Sequence, residues 1–176
     1  MCDNSTRPEQ SEGADPICIR QATAGDRDTI WSILEPTIRA GETYTLPREL
    51  NRDDALAFWF SHGHDTFVAV SGEATLGTYF LRENYGGGGS HVANCGYMTR
   101  AGTEGRGVGR AMLEHSLAHA RARGFRAMQF NFVVSTNERA VRTWQAYGFE
   151  IVGRLPEAFA HPRLGPVDAL VMFKVL

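Results

Sequence analysis

The spacing of apolar side chains along the chain predicts alternating strands and helices. Ile17 and Ile19 alternate with polar neighbours up to Gln21, which predicts a first strand, and Asp26 then precedes Ile30, Ile33 and Leu34 at helical spacing. Pro36 is expected to distort or end that helix. Residues 41–47 read as a loop, and residues 52–62 as a second helix with Leu56, Phe58, Trp59 and Phe60 on its apolar face. Residues 67–71 and 74–81 flank Gly72-Glu73, turn chemistry that predicts an antiparallel hairpin. Gly86-Gly87-Gly88-Gly89-Ser90 reads as a flexible connection. Beyond it, residues 91–99 predict a strand, 107–123 a helix stopped by Gly124, and 126–134 a nearly continuous apolar strand. Asn137 suits the N-cap of a helix reaching Tyr147, with Gly148 ending it. Residues 149–153 and 167–175 complete the pattern as two strands. The order is β-α-α-β-β-β-α-β-α-β-β, an α/β mixed sheet with one central β-α-β unit and antiparallel hairpins around it.

Residues 1–15 are polar, contain Pro8 and Gly13, and show no apolar period, so a disordered leader is expected before a single domain over 16–176. The length of 176 residues and the 43% hydrophobic content suit one buried core. A net charge of −2 gives no whole-chain bias toward nucleic acid or an anionic membrane, so a small-molecule partner is expected. No apolar run approaches the roughly 18 residues of a membrane span, and a cytoplasmic location is the expectation. Cys2, Cys18 and Cys95 match no zinc or redox spacing. Cys95 has two readings, an acyl-accepting nucleophile or a packed thiol, and it has no local partner to lower its pKa.

One segment carries chemistry. Glu104-Gly105-Arg106-Gly107-Val108-Gly109 lies between a predicted strand and a predicted long helix. Glycines there let backbone N–H groups approach an oxyanion, and the helix N-terminus adds roughly 0.3–1 kcal/mol per favourable charge. Arg110 and Met112 stand where a dinucleotide fingerprint needs its third glycine, and no Gly-Lys-Ser/Thr follows Gly102 or Gly105, which excludes a P-loop. A tight turn with close helix–sheet packing and an anion cradle both remain open on the local pattern.

The element order, this turn, and Asn137-Glu138-Arg139-Ala140-Val141-Arg142 followed by Gly148-Phe149-Glu150 together resemble the GCN5-related N-acetyltransferase (GNAT) superfamily over residues 17–176. The resemblance implies a mostly antiparallel mixed sheet, helices on both faces, and a central β-α-β unit that binds acetyl-CoA as acetyl donor, without a metal. It places pyrophosphate on the backbone of Glu104, Gly105, Arg106, Gly107, Val108, Gly109 and Arg110, with Arg106 or Arg110 adding a side-chain contact. The pantetheine arm would pair with Tyr97, Met98 and Thr99, and the acetyl carbonyl would meet a backbone N–H near Tyr97. Glu104 departs from the Gln or Arg usual at the start of the turn.

A narrower similarity, to fungal azetidine-2-carboxylate/proline-analogue acetyltransferases, rests on Asn94-Cys95-Gly96, Phe130-Asn131-Phe132, Ser135-Thr136-Asn137 and Pro166-Val167-Asp168-Ala169. It implies Asn94 on the acceptor side and Asn131 and Asn137 at the cofactor and reaction centre. A structural hydrogen bond explains Asn131 almost as well, and N-capping alone explains Asn137.

The implied reaction is direct attack of a small-molecule amine or amino acid, a proline analogue among them, on the thioester within a ternary complex. Asn94, Asn131 and the Tyr97 N–H are its candidate catalytic groups. The tyrosine that protonates the thiolate in many members is replaced by Trp144, and residues 91–99 hold no acid; the similarity to the proline-analogue enzymes implies asparagine-held water in the acid–base role. Tyr147 is either a replacement acid or core, and His91 either a base or a surface imidazole. His115 and His119, one turn apart, lack an evident third metal ligand. Glu42, Tyr44, His161 and Arg163, in the segments 40–47 and 156–166, are candidates for acceptor choice, Arg163 as a carboxylate clamp or as a solvated charge. A homodimer is implied by resemblance. The competing readings are a protein or peptide N-acetyltransferase and a catalytically weak acyl-CoA-binding module.

Overall fold

The computed structural model describes residues 15–176, so the expected leader lies outside the described residues except for Asp15. The elements are β1 (Cys18–Gln21), α1 (Arg27–Ala40), α2 (Arg52–Trp59), β2 (Asp65–Ser71), β3 (Ala74–Glu83), β4 (Val92–Thr99), α3 (Val108–Ala122), β5 (Ala127–Val134), α4 (Glu138–Ala146), β6 (Glu150–His161) and β7 (Gly165–Val175). They form one sheet in the order β1-β2-β3-β4-β5-β7-β6. Every neighbouring pair is antiparallel except β4 and β5.

Strand alternation sends successive side chains of β3 and β4 to opposite faces, and each face meets its own helices. Tyr79, Leu81, Ala93 and Cys95 pack with Val108, Met112, Leu113 and Leu117 of α3, and Val141 and Trp144 of α4 lean on the same cluster. Phe80 and Met98 pack with Ile30, Ile33, Leu34 and Ile38 of α1 and with Leu56 and Trp59 of α2. Trp59 Nε1 donates to Thr78 Oγ1 at 3.0 Å, and Thr78 donates onward to the Phe67 carbonyl at 2.8 Å, so the polar atoms in this core are paired.

Helix α1 runs through Pro36 to Ala40 and stops at Gly41, whose φ is 65°. The expected break does not occur. A proline inside a helix costs about 3 kcal/mol, whereas each of the four buried residues Ile30, Ile33, Leu34 and Ile38 gains roughly 1.5–3 kcal/mol by leaving water. Its first turn is anchored by Asp26, which accepts from Thr23 N at 2.7 Å and from Arg20 Nη1 and Nη2 at 2.8 and 2.7 Å. The Arg20 bonds, more than any other contact, hold this carboxyl well below the usual range.

The last hairpin is longer than its sequence pattern predicts. Residues 156–161, expected as loop, belong to β6, and β7 begins at Gly165. Strand β6 is the sheet edge, most of its side chains are exposed, and its register shifts between Leu155 and Phe159. Such a strand needs no alternation of apolar residues and tolerates Pro156 at its bulge, where Glu157 has a φ of 51°.

Strands β4 and β5 pair only at Val92–Ala127 and Ala93–Met128. Beyond these positions they separate. The β3–β4 ladder is uninterrupted, with Asn84 N donating to Val92 O and Arg100 N to Leu76 O. Backbone groups of even-numbered β4 residues therefore point at β3, and those of Cys95, Tyr97 and Thr99 point into the gap.

Candidate active site

Helix α3 begins with an open N-terminus. Gly107 is its N-cap at a φ of 81°, and no side chain caps the first turn. Ala111 is the first residue whose N–H closes onto the Gly107 carbonyl, which leaves the N–H groups at the start of the helix for another acceptor. Cβ atoms built on Gly105, Gly107 and Gly109 would meet nothing within 4 Å, so these glycines do not serve close helix–sheet packing. They face an open cleft of about 700 Å³.

Residues 104–110 and α4 line most of the cleft, which brings Tyr97, Thr99, Glu104, Gly105, Arg106, Gly107, Val108, Gly109, Arg110 and Asn137 to one surface.

 Met98 and Asn131 lie outside it. Met98 points its side chain into the α1–α2 core, and Asn131 sits on β5 beyond the gap. Arg139, Arg142 and Thr143 also line the cleft. Their spacing after the Asn137 cap puts them on one face of α4, a pattern legible in the sequence once the helix is placed. Asn137 Oδ1 accepts from Ala140 N at 3.4 Å, so the capping role is real.

Electrostatically the cleft favours an anion. Arg106, Arg110, Arg139 and Arg142 line it, and Arg142 pairs with Glu138 at 3.0 Å. Glu104, the departure at the start of the turn, folds back so that its Oε1 accepts from Gly102 N at 3.2 Å. Backbone N–H groups hold its carboxyl below the usual range, so this negative charge is spent on its own turn.

The wall between the helices and the gap is aromatic. Trp144 lies 5.3 Å from the Tyr97 ring and 5.1 Å from Phe130. The Tyr97 hydroxyl is 2.6 Å from Ser116 Oγ, and burial raises its pKa far above the ordinary phenol value. Its side chain is therefore part of the core, and only its backbone faces the gap. Burial likewise pushes the Cys95 thiol up to about 12, which removes the nucleophile reading. Tyr147 donates to Glu114, and that bond raises its pKa. His91 is an exposed turn residue at the closed end of the β4–β5 gap. His115 bonds the Tyr79 hydroxyl at 2.6 Å and His119 bonds Asp65 at 2.9 Å, and no group of three metal-ligating side chains occurs among the described residues.

On the other face, the α1–α2 loop reaches the same gap. Tyr44 is half-buried, and its hydroxyl donates to the Tyr97 carbonyl at 2.8 Å. Asn94 Nδ2 donates to the Gln129 carbonyl at 2.8 Å, tying β4 to β5 just where they part. Asn131 exchanges hydrogen bonds with Asn84 at 3.1 and 2.6 Å and accepts from Gln129 Nε2 at 2.8 Å. Gln129 had a local signal, two residues before Asn131 on the same strand face, whereas Asn84 had none. A second cavity, about 460 Å³, is lined by Glu42, Thr43, Thr136, Asn137, His161, Arg163 and Leu164. Arg163 pairs with Glu42 at 2.8 Å across it while its side chain stays mostly exposed, as expected of a solvated loop charge. His161 is buried in the β6–β7 turn, where Nδ1 accepts from Arg163 N at 3.2 Å. Asn137 lines both cavities.

A mixed sheet that parts beside an uncapped, glycine-led helix defines a class of acyl-transfer fold, and the pattern of the acetyltransferase (GNAT) family matches residues 28–149. The chain belongs to that family. It is 39% identical to a GCN5-related N-acetyltransferase from Kribbella flavida, with a TM-score of 0.87 over 91% of this chain and 98% of that one. It is 26% identical over 146 residues to the N-acetyltransferase aca1 of Schizosaccharomyces pombe, covering 74% of this chain and 70% of the relative. It also shares its fold, with 19% identity and a TM-score of 0.79 over 91% of this chain and 88% of the other, with a phosphinothricin acetyltransferase from Sinorhizobium meliloti solved in complex with acetyl-CoA.

Proposed function

We propose that this chain transfers the acetyl group of acetyl-CoA to the amine of a small molecule or amino acid, by direct attack within a ternary complex. The observation that carries this reading is the uncapped first turn of α3 opening on a cleft that continues along the unpaired edge of β4. The residues fit the donor. The start of α3 offers N–H groups to a pyrophosphate, and Arg106 and Arg110 add charge. Tyr97 and Thr99 present backbone N–H and C=O groups to the amides of a pantetheine arm.

When bound, acetyl-CoA supplies an activated carbonyl that an amine can attack with departure of the thiol. This chain's part is placement and polarisation. An N–H of β4 near Tyr97 faces the gap and polarises the carbonyl oxygen. The amide-rich wall of Asn94 and Asn131 orders water that accepts the amine proton, since β4 carries no carboxylate. Holding both reactants in one gap supplies much of the rate enhancement through orientation. The same asparagines support the proline-analogue subtype. The exposed Ile151, Val152 and Leu155 on edge strand β6 support pairing with a second copy of the chain.

Calorimetric titration with acetyl-CoA tests the donor half of this reading. The expected result is 1:1 binding in the wild-type protein that Gly109→Val abolishes. Equal binding by both proteins would move the donor elsewhere, and no binding by wild type would end the reading.

A further inference from the structure

Among the described residues, one buried side-chain polar atom has no hydrogen-bond partner, and it is Arg82 Nε. A buried donor left unmade costs about 1–3 kcal/mol, so a folded protein keeps one for a reason. Arg82 stands on β3 directly opposite Asn94 of β4. Alternation from Thr78 and Phe80, which meet Trp59 of α2, places its side chain on the α1–α2 face rather than the α3 face.

Its surroundings are polar but uncharged. Asn94 donates to Gln129, the Gln129 side chain donates to Asn131, and Asn131 exchanges bonds with Asn84, two residues beyond Arg82 on β3. This run of amides contains no acid. Asp65, the acid on the neighbouring strand, is committed to His119 and Arg123 at the start of the opposite face. No carboxylate of the described residues pairs with Arg82. His64, stacked on Phe80 at 4.4 Å, is kept neutral chiefly by burial, with the Arg82 charge acting the same way. The face therefore holds a partly exposed cation without a counter-charge, one strand from the gap where β4 and β5 part.

We infer that Arg82 is the specificity residue for the acceptor, taking the carboxylate of an α-amino or imino acid whose amine is then acetylated. A guanidinium beside neutral amides offers its Nη donors to a carboxylate, while the buried Nε holds no internal acceptor that would neutralise the charge, and the substrate amine is left directed along the sheet toward the gap. The run of amides sets no acid beside the guanidinium to compete for it. This inference rests on the acetyl-transfer reading for its consequence, and on Arg82 alone for its site.

The test measures kcat/KM for L-proline, L-methionine and L-glutamate against their carboxamides, in wild type, Arg82→Lys and Arg82→Gln. Wild type should prefer at least one acid over its carboxamide by more than about tenfold. Arg82→Gln should bring that ratio near one with the KM for acetyl-CoA unmoved, and Arg82→Lys should fall between. A wild-type ratio near one, or a ratio that survives in Arg82→Gln, overturns the assignment. Thermal melts show that the variants are folded. If none of the six compounds turns over, the acetyl-transfer reading is judged on a wider acceptor panel, and Arg82 is judged by calorimetry with the same six compounds. Binding of an acid by wild type and not by Arg82→Gln supports the site, and no selective binding by wild type refutes it.

Discussion

The two sides of the β4–β5 gap are built from different materials. On the α3 side the binding surface is backbone: an uncapped helix turn, three glycines with open space beside them, and a strand edge whose odd-numbered residues face the gap. On the α1–α2 side it is side chains, the amides of Asn84, Asn94, Gln129 and Asn131 with the Tyr44 hydroxyl. A backbone surface suits a donor that is the same in every turnover. A side-chain surface can be changed residue by residue, and it suits the acceptor.

The largest expected effect is on the backbone side. Gly109→Val places a branched side chain where N–H groups face the cleft. Losing two charge-assisted hydrogen bonds of about 1.5–3 kcal/mol each raises the KM for acetyl-CoA by roughly 100-fold or more. Gly109 has no left-handed backbone, so melting temperature should hold. Gly107→Val adds a stability loss of about 1–2 kcal/mol, because its φ of 81° disfavours any side chain. Steady-state kinetics beside thermal melts separates the two, and an unchanged KM in Gly109→Val would break the backbone assignment.

On the other side, Asn131→Ala removes three amide contacts and should lower kcat about 10–100-fold, well beyond the effect of Trp144→Phe, which keeps an aromatic wall. Equal losses in the two variants would erase the distinction between amide chemistry and packing. Tyr44→Phe deletes one hydrogen bond to the Tyr97 carbonyl and should cost about 1 kcal/mol, or roughly fivefold in kcat/KM. A shift only in the acetyl-CoA KM would assign Tyr44 to the donor side instead.

The smallest effect on activity belongs to a group outside both sides. Asp26 has its folded pKa depressed chiefly by Arg20, so its contribution to stability is present above the unfolded value near ~3.9 and is lost as pH falls toward the lower folded value. Asp26→Asn should therefore lower the melting temperature at pH 7 and narrow its difference from wild type below about pH 4. Acetyl-CoA binding should not change.

The same contrast of materials explains what could be read from the chain. The glycine turn, its strand and its helix are consecutive in sequence, and the residues at 97, 99, 104–110 and 137 meet in one cleft. The acceptor side joins positions 44, 84, 94, 129 and 131, which share no local pattern and meet only through sheet pairing. Arg82 is one more polar residue in a strand until the register sets it opposite Asn94. Strand β6 escaped its full length for a related reason, since an exposed edge with Pro156 at a bulge carries no alternation. Pro36 misled because local propensity was outweighed by a tertiary seam that became visible only once α1 was packed on the sheet.

The central claim is that one gap brings acetyl-CoA and an amine together for transfer. Free thiol release from acetyl-CoA across amino acids, proline analogues, polyamines and short peptides tests it most directly, with wild type and Gly109→Val side by side. The account predicts saturable, acceptor-dependent release by wild type that Gly109→Val loses at low acetyl-CoA. Absence of release with every acceptor, or release that Gly109→Val retains unchanged, would contradict it.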